Sequence, residues 1–192
     1  MGVGKVTLFI NACVRGKSRT YRLAEHLLEK LDGEVQEVRL EDIQFPVADE
    51  AFLNHRDALI AAGCFDDPLF ALARQFAGAD TIVVGAPYWD LSFPSALKQY
   101  FEQINVLGIT FAYRNDMPYG LCKAQKLYYI TTAGGPVYSD DFGFGYVKAL
   151  AQIFYGIQDV KCFKAENLDI LGADPEKIVR RTMAEMDGAF GV

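Results

Sequence analysis

Five segments of strand length alternate with segments of helical periodicity along the chain. The strand-like segments span residues 5–12, 34–40, 80–87, 126–132 and 160–165. Segments 5–12 and 80–87 are almost continuously apolar, which is typical of strands buried on both faces of a parallel sheet. Segment 34–40 alternates apolar and polar positions, which predicts a strand with one exposed face. The pattern therefore predicts an α/β protein.

The intervening segments carry apolar residues at helical spacing. In residues 18–33, Leu23, Leu27 and Leu31 share one face, and Gly33 ends the segment. Further helices are predicted at 48–63 and 66–77, after Pro94, around Val147, and from Asp174 onward, whereas 108–122 is predicted to be a surface excursion with a short β segment and turns. Five alternations of strand and helix predict a doubly wound, five-stranded parallel sheet. Its ligand crevice would lie beyond the carboxyl ends of the strands.

Composition restricts this picture to one ordinary globular domain. The chain has 192 residues, of which 51% are hydrophobic and 23% charged, so we expect a single domain spanning 1–192, with neither disorder nor a membrane span. The start lacks the pattern of a secretory signal, which favours the cytoplasm. The four cysteines are widely separated, which is consistent with reduced thiols and predicts no metal site.

The charge distribution is acidic overall and basic in one short segment. A net charge of −6 argues against binding of nucleic acid, which requires a broad basic surface. Arg15, Lys17, Arg19 and Arg22 nevertheless fall within eight positions. Any bound anion is therefore expected to be held locally.

The basic segment lies in the first loop, residues 13–20, at the predicted start of a helix. Unpaired amides and the helix dipole favour an anion there, and Ser18 and Thr20 add hydroxyl groups. Three cations, Arg15, Lys17 and Arg19, would repel one another at this positive end unless an anion were bound. A phosphate group fits this arrangement. The alternative is that Ser18 serves only as a helix cap and that the cations are solvated.

Two further loops follow strands at the same predicted edge. Tyr88 and Trp89 come directly after segment 80–87, and Gly134 and Gly135 come after segment 126–132. Aromatic walls and a backbone free of side chains are what a flat heteroaromatic ring requires. Taken singly, the first pair has the simpler interpretation of core packing and the second that of a turn. Together with a phosphate loop, the two pairs predict a mononucleotide that carries a tricyclic ring.

These segments resemble those of the flavodoxin-like quinone reductase and FMN-dependent NADH azoreductase family. The resemblance covers residues 5 to about 165 and rests on 10–20, 85–90, 97–101, 108–113 and 130–135. It implies a flavodoxin-like sheet of order 2-1-3-4-5 that binds FMN. Ser18, Arg19 and Thr20 would hold the phosphate. The residues expected to line the isoalloxazine are Pro87, Tyr88, Trp89, Asp90, Leu91, Thr132, Ala133, Gly134 and Gly135.

The resemblance also implies an activity. NADH or NADPH would give hydride to flavin N5, and a quinone, azo compound or other flat acceptor would then take it in a ping-pong sequence without a catalytic protein side chain. The enzyme would be a homodimer with FMN at the interface. Tyr113 and Phe154 would lie near the substrate, and Phe154 would come from the partner subunit. The chain departs from the azoreductases in carrying Trp89-Asp90-Leu91 where they usually have Tyr-Asn-Phe, and in a shorter, more basic phosphate loop.

Two alternatives remain open at the level of sequence. Residues 13–20 also form a Cys-x5-Arg-Thr pattern that resembles low-molecular-weight tyrosine phosphatases, in which Cys13 would attack phosphorus while Arg19 bound the oxygens. The loop lacks the Asn and second Cys of that family. The other alternative is a non-enzymatic flavodoxin-like electron carrier. The excursions 48–77 and 108–122 argue against a minimal carrier, because they could enclose a substrate pocket and form a dimer interface.

Overall fold

A computed structural model describes residues 4–191. Its strands are β1 (Val6–Asn11), β2 (Glu34–Arg39), β3 (Thr81–Gly85), β4 (Phe111–Arg114), β5 (Met117–Gly120), β6 (Lys126–Thr132) and β7 (Asp159–Ala165). Five of them form a parallel sheet in the order β2-β1-β3-β6-β7, and β4 and β5 form a separate antiparallel pair. Counting only the strands of the large sheet, this order is 2-1-3-4-5, as predicted.

Helices cover both faces of the sheet. They are α1 (Arg19–Leu28), α2 (Glu50–Ala61), α3 (Ala71–Gly78), α4 (Ser95–Ile104), α5 (Phe144–Leu150) and α6 (Pro175–Phe190). Because side chains alternate along a strand, Leu8 and Ile10 of β1 join a core cluster with α3 and α4, whereas Phe9 joins a cluster with α1 and α6. The near-continuous apolar pattern of β1 thus reflects burial on both faces.

The excursion 108–122 is more regular than the sequence predicts. Residues 117–120, expected to be turn residues, form β5, which pairs with β4 through Phe111 and Gly120 at one end and Arg114 and Met117 at the other. Asn115 and Asp116 connect the strands with φ of 51° and 60°. Two consecutive positive φ values are typical of a tight hairpin turn, and Asn and Asp tolerate that conformation.

A π-helical turn, Ala151–Tyr155, continues α5 and carries Phe154. The β4–β5 hairpin packs on it so closely that a Cβ at Gly120 would lie 2.1 Å from the backbone nitrogen of Gly156. Single π turns inside helices are frequent at functional sites. No helix within residues 4–191 combines the length and hydropathy needed to span a bilayer.

Candidate active site

A cleft of about 410 Å³ lies at the carboxyl edge of the sheet, where the loops after β1, β3, β6 and β7 meet. Its volume lies within the range of small-molecule sites. The lining residues are Cys13, Val14, Arg15, Lys17, Ser18, Arg19, Thr20, Pro87, Tyr88, Trp89, Thr132, Ala133, Gly134, Leu168 and Asp169. The structure therefore places the three loops identified in the sequence around one cleft.

The first loop presents the N-terminus of α1 to the cleft. Ser18 caps the helix by accepting a hydrogen bond of 3.2 Å from the Tyr21 amide. Capping uses one acceptor lone pair and leaves the hydroxyl proton of Ser18 available. The amides of Arg19 and Thr20, at the first two helical positions, have no acceptor inside the helix. This end of α1 therefore offers N–H donors, a hydroxyl group and the positive end of a dipole to an anion.

Thr20 has a role that the sequence did not indicate. Its side chain is buried, and its Oγ1 lies 2.7 Å from Oγ1 of Thr132. This hydrogen bond joins the start of α1 to the end of β6. Thr20 therefore fixes the distance between the anion-binding end of the cleft and the wall formed by the loop after β6.

The basic residues of the first loop differ in their partners. Arg19 Nη1 lies 2.8 Å from Asp169 Oδ1, across the cleft mouth. Arg22 forms two hydrogen bonds of 2.8 and 2.9 Å with Glu176 and is not among the cleft-lining residues. Arg15 and Lys17 are exposed, line the cleft, and form no ion pair within residues 4–191. Arg15 and Lys17 are thus available to bind an anion, whereas Arg19 is already paired with the carboxylate of Asp169.

The loop after β3 forms an aromatic wall. The Tyr88 amide donates to the Thr132 carbonyl at 3.0 Å, which continues the sheet by one residue, and Trp89 and Ser92 exchange backbone hydrogen bonds of 3.0 and 2.7 Å. Asp90 and Leu91 form the turn between them with φ of 49° and 67°. Positive φ is unfavourable for Leu, so surrounding contacts hold this turn. Asp90 and Leu91 lie exposed next to the cleft rather than in its lining.

Gly134 lines the cleft and Gly135 lies next to the lining residues, and the two glycines differ in their surroundings. A Cβ at Gly134 would lie 2.6 Å from Asp169 Oδ2, whereas a Cβ at Gly135 would meet nothing within 4 Å. Residues 167–169 hold this loop, because the amides of Asn167 and Asp169 donate to the Gly135 and Gly134 carbonyls at 3.0 and 2.8 Å. The absence of a side chain at Gly135 therefore leaves space open to a ligand, although Gly135 itself is outside the lining.

Cys13 lies at the base of the cleft in a setting that disfavours a thiolate. The residue is 6% exposed, its Sγ is 3.7 Å from the Gly85 carbonyl oxygen, and burial raises its pKa above the ordinary value. A phosphatase nucleophile needs the opposite shift. The geometry therefore gives no support to the phosphatase hypothesis.

Tyr113 and Phe154, the predicted substrate contacts, lie together on a different part of the chain. Both rings pack against Phe111, with centroid distances of 5.7 and 4.9 Å. Neither lines the cleft of its own chain. Tyr113 is 54% exposed, so its ring is accessible at the surface. Their assignment to the substrate stays a prediction.

The sequence analysis missed the contribution of the segment after β7. Leu168 and Asp169 line the cleft, and Asp169 supplies the carboxylate that faces Arg19. The available signal was their position directly after the fifth strand, at the same edge as the three loops. Within residues 4–191 no group of three or more His, Cys, Asp or Glu side chains is arranged to hold a metal ion.

Comparisons with known proteins agree with this geometry. Residues 5–189 match the model of a family described by its flavodoxin-like fold. The chain is 35% identical to an FMN-dependent NADH:quinone oxidoreductase of Coprothermobacter proteolyticus over 89% of this chain and 90% of the relative. It is 35% identical to FMN-dependent NADH:quinone oxidoreductase 2 of Clostridium acetobutylicum over 90% of each.

Solved structures show the same fold. An FMN-dependent NADH-azoreductase from Bacillus anthracis, solved in complex with FMN, superimposes with a TM-score of 0.81 at 24% identity, covering 97% of this chain and 98% of that one. The chain thus belongs to the family of flavodoxin-like proteins that contains the FMN-dependent NADH:quinone oxidoreductases and azoreductases.

Proposed function

We propose that this protein is an FMN-dependent NADH:quinone oxidoreductase that also accepts azo compounds or other flat acceptors. The observation that carries the proposal is the cleft itself. It combines an anion-binding helix end with an aromatic wall and an open glycine wall, at the carboxyl edge of a flavodoxin-like sheet. The relatives that match nearly the whole chain have the same activity.

The residues at the helix end fit a phosphate group. The Arg19 and Thr20 amides and the Ser18 hydroxyl supply neutral donors, and Arg15 and Lys17 supply charge. With only one carboxylate among the lining residues of 4–191, the positive charge there is incompletely balanced. A dianionic phosphate would balance it.

The residues at the other end fit a flat ring. Tyr88 and Trp89 supply one wall, and Thr132, Ala133 and Gly134 supply the other. The Tyr88 hydroxyl oxygen is buried and has no hydrogen-bond partner within residues 4–191, so it is available to a polar ligand atom. The unobstructed space beside Gly135 lets a ring edge approach the backbone.

In this proposal the protein acts by positioning. Bound FMN would supply hydride transfer between NADH and the acceptor. The two walls hold the ring, the helix end holds the phosphate, and the mouth beside Trp89 admits NADH and the acceptor in turn. Burial raises the pKa of Cys13, against a smaller opposing effect of the Ser18 side chain, and so disfavours the thiolate that a nucleophile requires.

We further propose that one domain of residues 1–192 assembles as a homodimer with FMN at the interface. Support comes from exposed apolar side chains on the β4–β5 hairpin, of which Met117 and Tyr119 share one face and Tyr113 lies on the other face with Phe111. Exposed apolar side chains of this kind are typical of an interaction surface. The family resemblance implies that Tyr113 and Phe154 would lie near a partner's cleft in this dimer. The free state of all four cysteines is consistent with a reducing cytoplasm.

Substitution of Met117 tests the proposed dimer. It is 68% exposed at the tip of the hairpin, so Met117→Glu places a charge in the proposed interface without disturbing the core. We expect light scattering to shift from a dimer to a monomer, whereas Leu171→Glu, fully exposed elsewhere, leaves the dimer intact. A monomeric wild-type protein contradicts this part of the proposal.

The absorbance spectrum of the purified protein tests the proposed binding of FMN. Protein reconstituted with FMN is expected to show flavin absorbance, to release FMN on denaturation, and to oxidise NADH when a quinone is present. Cys13→Ser is expected to retain both properties, because the buried thiol has no catalytic role here. Failure to bind FMN, together with phosphatase activity that Cys13→Ser abolishes, would establish the phosphatase alternative instead.

A further inference from the structure

Asp169 occupies a position in the cleft that the proposed activity does not explain. It follows β7, and its amide donates to the Gly134 carbonyl at 2.8 Å, so its backbone is fixed beside the glycine wall. The preceding residue, Leu168, is buried and its amide donates to the Ala133 carbonyl at 3.2 Å. The Asp169 side chain is therefore carried on a rigid support.

From this support the carboxylate reaches across the mouth of the cleft. Asp169 Oδ1 lies 2.8 Å from Arg19 Nη1, and Asp169 Oδ2 occupies the space where a Cβ of residue 134 would point, 2.6 Å from that position. Arg19 is the first residue of α1, at the end we assign to the phosphate. The ion pair thus joins the phosphate end of the cleft to its ring wall.

The pair is easily broken. The side chains of Arg19 and Asp169 are 35% and 66% exposed, and ion pairs at such exposed positions contribute little. A phosphate dianion brings more charge and three oxygen acceptors to the same guanidinium. Phosphate and Asp169 would therefore compete for Arg19, and Asp169 would also repel the phosphate.

We propose that Asp169 is a specificity-determining residue that competes with the flavin phosphate for Arg19 and so weakens the binding of FMN relative to riboflavin. The inference rests on the proposed binding of FMN in this cleft. Asp169 is expected to affect only the binding of the phosphate group, through Arg19. It should not affect the binding of the isoalloxazine ring, which FMN and riboflavin have in common.

Asp169→Asn removes the charge and keeps both the size of the side chain and the backbone bond to Gly134. Titration of the apoprotein, followed by quenching of flavin fluorescence, is expected to show three- to tenfold tighter binding of FMN and unchanged binding of riboflavin. The association rate of FMN is expected to rise and to become more sensitive to salt. In an Arg19→Ala background the effect of Asp169→Asn on FMN affinity should be smaller than in the wild type, because only the direct repulsion between Asp169 and the phosphate remains.

Glu176→Gln is the matched control. Glu176 of α6 pairs with Arg22, which lies on α1 like Arg19; their side chains are 52% and 44% exposed, and neither residue lines the cleft. We expect it to leave FMN affinity unchanged within twofold. The inference would be overturned if Asp169→Asn and Glu176→Gln changed FMN affinity equally, or if Asp169→Asn changed riboflavin affinity as much as FMN affinity. Weaker binding of FMN by Asp169→Asn would also overturn it. Absence of flavin binding by the wild-type apoprotein would instead contradict the proposed function.

Discussion

Gly134 and Gly135 show how adjacent residues of one type can have different reasons for being small. Gly134 is limited by the protein, since a Cβ would meet Asp169 at 2.6 Å, whereas a Cβ at Gly135 meets no protein atom within 4 Å. Neither residue has a positive φ, so the backbone conformation does not require glycine. We therefore expect Gly135→Ala to leave the denaturation midpoint unchanged or slightly raised and to weaken FMN.

The same substitution at Gly134 provides the comparison. Gly134→Ala should displace the Asp169 carboxylate and weaken its contact with Arg19, with only a small change in stability because the Asp169 side chain is exposed. Both variants are measured by urea denaturation of the apoprotein and by FMN titration. Unchanged FMN affinity in Gly135→Ala would show that the space beside this residue is not used by the ring.

Arg15 makes a second residue-level prediction. It is exposed, lines the cleft, and has no ion-pair partner within residues 4–191. A charge-assisted contact with phosphate contributes roughly 1.5–3 kcal/mol, which corresponds to about tenfold or more in affinity. Arg15→Ala is therefore expected to weaken FMN by about tenfold and to leave riboflavin unaffected. Arg22→Ala, on the outward side of α1, should change neither affinity; equal losses for FMN and riboflavin in Arg15→Ala would refute a phosphate contact.

At this scale the sequence could identify the local groups but not their partners. Arg15, Lys17 and Ser18 lie in one loop, so their meeting at a helix start follows from the order of residues alone. The Arg19–Asp169 contact joins positions 150 residues apart, and the Thr20–Thr132 bond joins positions 112 apart. Contacts of this separation depend on the register and twist of the sheet, which a single sequence does not specify.

Among the elements, α1 and α6 pack side by side and are joined by ion pairs. Asp187 of α6 receives hydrogen bonds from Lys30 and His26, which lower its pKa, and Glu176 of α6 has its pKa lowered by hydrogen bonds from Arg22. A lowered pKa in the folded state stabilises the protein above the unfolded value of about 4. This stabilisation is lost as the pH falls through the lower folded values.

Asp187→Asn should therefore destabilise the protein at pH 7 and have progressively less effect as the pH falls below about 4, where the wild type loses the same interaction. The measurement is the urea midpoint of both proteins between pH 7 and pH 3. Glu185→Gln is the control, since Glu185 pairs only along its own helix with Arg181 at 3.4 Å. A difference between wild type and Asp187→Asn that does not depend on pH would contradict this assignment.

The strands with continuous burial were the most distinct in the sequence, whereas β5 and the π turn were missed. The strands β1, β3 and β6 are buried on both faces, so their apolar segments are distinct. β5 has the sequence Met-Pro-Tyr-Gly and contains no buried residue. Its pairing with β4 depends on the turn at Asn115 and Asp116. The π turn after α5 likewise leaves no trace in apolar spacing, because Ala151 and Tyr155 stay buried at the helical interval of four.

At the scale of the whole molecule, a single cleft predicts an order for the proposed reaction. In the proposed mode the ring would lie against Tyr88 and Gly134 with one face left open, and NADH and the acceptor would both reach that face past the exposed Trp89. Two flat molecules that use the same face of one ring exclude each other. The first product must therefore leave before the second substrate binds, which is a ping-pong sequence.

Steady-state rates measured at several fixed concentrations of a soluble quinone, with NADH varied, are expected to give parallel double-reciprocal lines. Each substrate should also inhibit competitively against the other at high concentration, because both occupy one place. Trp89→Ala offers a check that the mouth is shared: it is 37% exposed there, and its loss should raise the KM for NADH and for the quinone together. Lines that intersect at all quinone concentrations, or a change in only one KM, would require two separate binding places and contradict the single-cleft mechanism.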